Sequence, residues 1–129
     1  MRAKVAATVT RNGALLRLTE LQRQLICEAL MFHADRPDGD RASIIRIGVD
    51  RASAARITEK VRDENLEFEL SEIHVLFSAL ISASAWIPSE EAFYERIGFF
   101  REHALALAGG LVNAIAEASD KVGDSSEKS

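Results

Sequence analysis

The 129-residue chain contains very little cysteine, which excludes several architectures. Cys27 is the only cysteine, so no disulfide can form within the chain, and nothing indicates a stapled, secreted scaffold. Zinc sites built on paired Cys-x-x-Cys ligands are excluded by the same count. We expect Cys27 to behave as a small apolar residue on a packed helix.

Histidine is also scarce, with only His33, His74 and His103 in the chain. Their spacing forms neither a His-Glu-x-x-His pair nor the Glu-x-x-His repeat of a helical-bundle metal site. Cys27 and His33 lie six positions apart, so they would not face each other on one helix, and no Gly-x-Ser-x-Gly motif is present. We therefore expect no catalytic residue, no metal and no cofactor.

Long apolar runs are absent too. The most apolar segment, 104–116, contains Asn113 as its only polar side chain, but it is shorter than the ~20 residues that a membrane-spanning helix needs. The basic N-terminal segment lacks the continuous apolar core of a signal peptide. We expect a cytoplasmic protein without membrane contact, and its twelve arginines against four lysines suit a bacterial genome rich in GC.

The two halves of the chain carry opposite net charge, because basic residues outnumber acidic ones in residues 1–62 and the reverse holds in residues 63–129. Residues 1–62 have a net charge of +5 and residues 63–129 a net charge of -9, so the halves attract within one chain or between two chains. A helix carrying Arg56, Lys60 and Arg62 could face phosphates. The acidic balance of the whole chain and the lack of aromatic residues between the basic ones nevertheless disfavour nucleic-acid binding.

The N-terminal segment has the pattern of a β-hairpin. Asn12 and Gly13 tolerate positive φ, and this predicts a two-residue turn in which Val9 pairs with Leu16. Alternation on both strands then gives one mostly apolar face, formed by Val5, Ala7, Val9, Leu16 and Leu18.

Two helix starts follow from capping residues. Thr19 with Gln22 three positions later forms a capping box for a helix to about His33. Asp50 predicts a helix from Arg51 to about Asp63.

Further strands and a helix start come from shorter patterns. The alternation of Ile45, Ile47 and Val49 predicts a strand over 43–49, although the same residues could continue a helix. Strict alternation over 66–70 predicts another short strand, and Ser71 would cap the helix that follows.

The last part of the chain predicts one long helix, from about Glu90 to Ala118, which could bend at Gly109-Gly110. Small residues four positions apart predict a line along which another helix could approach closely. The glycines follow no strand and match no phosphate-binding motif. The residues predicted to pack this helix or to form an interface are Phe93, Ile97, Phe100, Ala106, Leu107, Gly110, Leu111 and Ala114.

These patterns predict an α+β fold in a single domain, 1–118, followed by a polar, disordered tail, 119–129. A small, mostly antiparallel sheet, built from the hairpin and the short strands, would pack with about four helices, and the C-terminal helix would be the longest. The alternative is an all-α bundle in which 43–64 forms a single helix.

The predicted function rests on the lack of catalytic motifs and on the apolar last helices. We expect a non-enzymatic protein–protein interaction or regulatory module, antitoxin-like or immunity-like, that forms a homodimer and binds another protein. One alternative is a small-ligand-binding protein or minor enzyme with a pocket between the sheet and the long helix, with His74 or His103 at its rim. A nucleic-acid-binding regulator is the third alternative. An exposed apolar face on the final helix would favour the first hypothesis, and a dry pocket holding a histidine beside a carboxylate would favour the second.

Overall fold

A computed structural model describes residues 4–128 of the chain, with side chains described over residues 4–121. Within these residues, three strands and six helices follow one another in the order β1 (Ala6–Val9), β2 (Gly13–Arg17), α1 (Glu20–Ala34), α2 (Asp40–Ile47), α3 (Arg51–Arg62), β3 (Glu67–Glu69), α4 (Leu70–Trp86), α5 (Glu90–Ile97) and α6 (Arg101–Lys128). The strands form an antiparallel sheet in the order β1-β2-β3. The predicted α+β class with a long last helix is confirmed, and the all-α alternative is wrong.

The hairpin forms, but its predicted register is wrong by two residues. Val9 pairs with Ala14, not with Leu16, which pairs with Ala7. The Thr10 amide donates to the Gly13 carbonyl at 3.0 Å, so the turn is centred one position before the predicted one. A shift of two residues leaves each side chain on its predicted face.

Gly13 explains the error, because it belongs to β2 and lies against β3. A Cβ atom at this position would overlap the carbonyl oxygen of Phe68 and lie 2.7 Å from the Cα of Glu69. The glycine is therefore required for close approach of two strands, and not for positive φ in the turn.

The strand predicted over 43–49 is wrong, because these residues form most of α2. Ser43, Arg46 and Ile47 are buried, whereas Ile45 is 86% exposed, so burial follows the helical period and not the apolar alternation. The single-helix alternative also fails. The helix ends at Gly48, which has a φ of 86°, and the Asp50 side chain then caps α3 as predicted.

Two further boundaries differ from the predictions. The long helix is broken at Gly98, which has a φ of 84° and ends α5, so α6 begins only at Arg101. The helix expected to be capped by Ser71 starts two residues earlier, at Leu70, because Glu69 is its N-cap and forms a capping box with Glu72. By contrast, the Thr19–Gln22 capping box of α1 forms as predicted.

The core lies around α1, which contributes Leu25, Ile26 and Leu30 as fully buried side chains. Helices α3 and α4 pack on α1, and α6 packs on both α4 and β1. This arrangement leaves one side of the α4–α6 pair uncovered by other described elements. The domain limits of 1–118 and the disordered tail of 119–129 stay predictions.

Candidate functional site

Helix α6 has apolar residues on more of its circumference than the core covers. One row of side chains, Ala104, Leu107, Leu111 and Ala114, is buried in the core. A neighbouring row at steps of three, four and three residues, here named the α6 stripe, consists of Leu105, Ala108, Val112 and Ile115. Within this stripe, Leu105 is 45% and Val112 is 52% exposed, whereas Ala108 is fully buried and Ile115 is partly buried, so only Leu105 and Val112 face outward.

Helix α4 contributes a matching row next to the α6 stripe. Leu70 is 55% exposed, and His74, Phe77 and Ile81 continue the row at helical spacing. The two rows together are named the apolar face. A depression of about 290 Å³ lies between the helices, lined by Leu70, Ile73, His74, Phe77, Leu111, Val112 and Ile115. At the other end of the pair, Arg101 at the start of α6 donates to the carbonyl of Ile87, just after α4, so the two helices run antiparallel.

His74 is the only polar side chain that lines this depression. Its Nε2 lies 3.3 Å from the Ser78 Oγ, and its ring stacks on Phe77 with centroids 6.3 Å apart. The side chains lining the depression include no carboxylate that could orient the imidazole as a general base. The arrangement suits apolar contact rather than proton transfer.

The structure divides the predicted interface residues between core and surface. Phe93, Ile97, Leu107, Leu111 and Ala114 are buried in the core. The remaining three lie at or near the surface. Phe100 is exposed and stacks on Tyr94 with centroids 5.0 Å apart, Ala106 is exposed, and Gly110 is partly buried.

The line of small residues lies beside the segment that precedes β1. Ala106, Gly110 and Ala114 line a depression of about 330 Å³ together with Lys4 and Val5. Whether this line takes part in association stays a prediction. The outward residues that sequence reasoning missed are Leu70, Leu105 and Val112. The second apolar row of α6 is the signal that could have found Leu105 and Val112.

A buried polar cluster lies on the opposite side of α4, between α1 and α2. The Nε of Arg46 donates to the Nδ1 of His33 at 3.1 Å, and the other ring nitrogen of His33 lies 3.1 Å from the Ala79 carbonyl. An arginine can only donate, so His33 is neutral, with its proton on Nε2. Burial, opposed only in part by the hydrogen bond to Ala79, lowers the pKa of His33 to about 4.

Asp38 completes this cluster. Its carboxylate pairs with Arg46 and lies 3.6 Å from the Nε of Arg36. Partial burial acts to raise the pKa of Asp38, but the hydrogen bond from Arg46 and the charges of both arginines hold that pKa below its ordinary value. Through Arg46 and His33 the cluster joins α2 to α1 and α4, although the Nη2 of Arg46 is buried without a hydrogen-bond partner.

The basic residues of α3 do not form one phosphate-facing surface. Lys60 is held by the Glu72 carboxylate at 3.3 Å and by the Glu67 carbonyl at 2.9 Å. Arg56 donates to Ser53, whereas Arg62 reaches the Met31 sulfur on the side of α1. An open cleft of about 650 Å³ beside Lys60 has carboxylates as well as cations in its walls.

Cys27 is partly buried beside α3, with its Sγ 3.9 Å from the Thr58 carbonyl. Burial raises the pKa of the Cys27 thiol, so the thiol form predominates at neutral pH. Over residues 4–121, no three His, Cys, Asp or Glu side chains are grouped closely enough to hold a metal ion.

Of the helices in the described part of the chain, none combines the length and apolarity required to cross a bilayer. Comparisons of the chain with protein-family models, with curated proteins and with solved structures found no match.

Proposed function

We propose that this protein is a non-enzymatic protein–protein interaction module that self-associates as a homodimer through the apolar face of α4 and α6. The observation that carries the proposal is the outward position of Leu70, Leu105 and Val112, each about half exposed on two adjacent helices. Contiguous apolar surface of this kind marks binding sites on soluble proteins. An exposed apolar face on the final helix also supports this hypothesis over an enzymatic one.

The size of the hydrophobic contribution indicates a weak dimer. Covering a half-exposed Leu or Val side chain contributes roughly 1 kcal/mol. Twofold symmetry counts each of the three side chains twice, which gives about 6 kcal/mol, against an association cost of at least about 4 kcal/mol. The remaining ~2 kcal/mol corresponds to a Kd of tens of millimolar, so we propose a weak, reversible dimer that forms toward millimolar rather than micromolar concentration. Such a dimer would suit a cytoplasmic regulator, antitoxin-like or immunity-like, that exchanges its own partner for another protein.

Light scattering coupled to size exclusion, over a range of protein concentrations, tests the proposal. The wild type should approach twice the monomer mass as concentration rises, and Val112→Glu should remain monomeric because a buried carboxylate without a partner is costly. Leu21→Glu is the matched control, since Leu21 is 51% exposed on α1, away from the apolar face. If the wild type is monomeric throughout, the self-association proposal is wrong.

A second candidate function is supported by the depression beside His74. Its volume of about 290 Å³ lies at the lower limit of small-molecule sites, and its lining is almost wholly apolar. A small apolar ligand with one hydrogen-bonding group could bind there. An environment-sensitive dye should then bind to the Val112→Glu monomer less strongly than to the Leu21→Glu control, and added ligand should compete with dimer formation.

A further inference from the structure

The free edge of β1 has backbone groups that no other strand uses. The Thr10 amide donates to the Gly13 carbonyl, so Thr10 and every second residue before it form their hydrogen bonds with β2. In an antiparallel ladder, the residues between them direct their N–H and C=O groups the other way. The backbone groups of Ala7 and Val9 therefore point away from β2, toward the outer edge of the sheet.

Those outward groups stay unpaired in the part of the chain that the structure describes. Within residues 4–121, no backbone or side-chain group forms a hydrogen bond with the outward N–H or C=O of Ala7 or Val9. Helix α6 packs beside β1, with Gly110 and Ala114 near Val5, but its described residues donate no hydrogen bond to the strand. Ala7 and Val9 are only partly buried, so an incoming chain can reach them.

The opposite edge of the sheet, formed by β3, is closed by side chains. The outward carbonyl of Glu67 accepts a hydrogen bond from the Nζ of Lys60 at 2.9 Å, and the outward amide of Glu69 donates to the Glu72 carboxylate at 2.9 Å. Charged residues and bonds of this kind protect an edge strand from pairing with another chain. By contrast, the four residues of β1, Ala-Ala-Thr-Val, include neither a charge nor a proline.

The hairpin also carries cations that form no ion pair. Lys4, Arg11 and Arg17 are exposed, and none of them comes within 4.0 Å of a carboxylate of the described residues, although Glu117 lines the depression beside Lys4. Lys4 and Arg11 lie at the two ends of the free edge, about 20 Å apart along an extended strand. An extended chain with acidic residues toward both ends matches this arrangement.

The same cations disfavour a second copy of the chain on this edge. Two β1 strands paired about a twofold axis at Ala7 would place Lys4 opposite Thr10 of the partner subunit, one position from Arg11 of the partner subunit. Like charges at neighbouring positions of paired strands destabilise the pairing.

From these observations we infer that β1 is the docking edge for an extended acidic segment of a partner protein, which adds a fourth strand through the backbone groups of Ala7 and Val9. Main-chain hydrogen bonds supply affinity in this mode of binding, and Lys4 and Arg11 favour acidic residues. Because this edge lies apart from the apolar face of α4 and α6, docking here goes beyond the proposed self-association and does not depend on it.

Amide hydrogen exchange followed by NMR tests the docking. The probe is the acetylated and amidated octapeptide Asp-Glu-Val-Thr-Val-Thr-Asp-Glu, which is long enough to span the edge. In the free protein the amides of Ala7 and Val9 should exchange faster than that of Thr8, which bonds to β2. Peptide at about ten times its Kd should slow exchange at Ala7 and Val9 by about tenfold, because the free fraction falls to about a tenth.

Two matched controls separate main-chain pairing from attraction by charge. The same peptide, N-methylated at its four central residues, keeps its charge but loses its donors, so it should not bind. In the protein, Arg11→Glu should weaken binding by about fivefold, because it replaces an attraction with a repulsion. Arg41→Glu makes the same change at an exposed position on α2 and should leave the affinity unchanged.

The possible outcomes either support the docking edge or overturn it. Equal binding of the N-methylated peptide would mean attraction by charge alone, and it would overturn the inference, as would a lack of binding at millimolar peptide. If both amides are already protected in the free protein and light scattering gives a dimer that Val112→Glu leaves intact, a second copy occupies the edge and the inference is wrong. Monomeric Val112→Glu should bind the peptide as the wild type does, so failure of the proposed self-association leaves the docking edge standing.

Discussion

Acid should weaken the fold through His33, which lies in the cluster with Arg46 and Asp38. The Nδ1 of His33 accepts a hydrogen bond from the Nε of Arg46, so protonation of Nδ1 would place two N–H groups against each other. His33 is also fully buried, and a charged imidazole there would lose its hydration. The folded protein therefore resists a proton that the unfolded chain accepts.

The magnitude follows from the difference in pKa between the two states. The pKa of His33 is about 4 in the folded protein and 6.5 in its ordinary range. Between these values the unfolded chain binds more protons, so the free energy of unfolding decreases as pH falls from about 6.5 to about 4. The difference corresponds to a loss of about 3 kcal/mol, which is a large part of the stability of a domain of this size.

Urea unfolding followed by circular dichroism at several pH values between 7 and 4 measures this loss. His33→Gln keeps one acceptor and one donor in the cluster but does not titrate, so its free energy of unfolding should be about 3 kcal/mol less sensitive to pH than that of the wild type. His74→Gln makes the same side-chain change at an exposed position and is the matched control.

Comparing wild type with His33→Gln separates the effect of His33 on the free energy of unfolding from the effect of the carboxylates. The pKa values of Asp38, Asp40 and Asp50 are lowered in the fold, so their stabilisation is lost at still lower pH and affects wild type and variant alike. The reasoning is refuted if wild type and His33→Gln lose stability in parallel between pH 6.5 and 4. A lower overall stability of His33→Gln would not refute it, because the slope is the readout.

Three further predictions concern single substitutions and zinc. Gly13→Ala should lower the free energy of unfolding by about 1–3 kcal/mol or more, because its Cβ would overlap the Phe68 carbonyl; a melting temperature equal to wild type would contradict the close approach of β2 and β3. Gly109→Ala should raise it by about 0.5–1 kcal/mol, since a Cβ there meets nothing within 4 Å, and thermal unfolding checks the sign. Zinc should not change the melting temperature, because residues 4–121 contain no suitable group of ligands; a stabilisation removed by chelator would refute this.

Local capping signals could be recognised in the sequence because they act over three or four residues. The Thr19–Gln22 capping box and the Asp50 cap of α3 form as predicted, since each needs only one helix turn to satisfy free amide groups. The hairpin register could not be obtained in this way. It depends on β3, more than fifty residues later, whose Phe68 carbonyl requires glycine at position 13 inside the strand.

The segment 43–49 shows a different limit. Its apolar residues alternate as in a strand. The polar side chains of Ser43 and Arg46 are nevertheless buried, because they form hydrogen bonds within the fold. Arg46 is buried because His33 and Asp38 pair with it, and the Ser43 hydroxyl donates to the Val49 carbonyl at 2.8 Å. A pattern rule that places apolar residues inside and polar residues outside fails where buried polar groups find partners from distant segments.

The sequence predicted an apolar surface on the last helix but not which residues form it. The abundance of apolar residues around α6 indicated that the helix is either central or shared between subunits, and two rows of side chains satisfied the same helical period. Packing on α4 and β1 decided that Leu107 and Leu111 are buried, while Leu105 and Val112 face outward. The break at Gly98 contributes to this outcome. It separates α5 from α6, so the residues of α6 that face α4 need not continue the helical period of α5. The outward position of these two side chains is thus a consequence of how the chain folds back, and their apolar character is the basis of the proposed self-association.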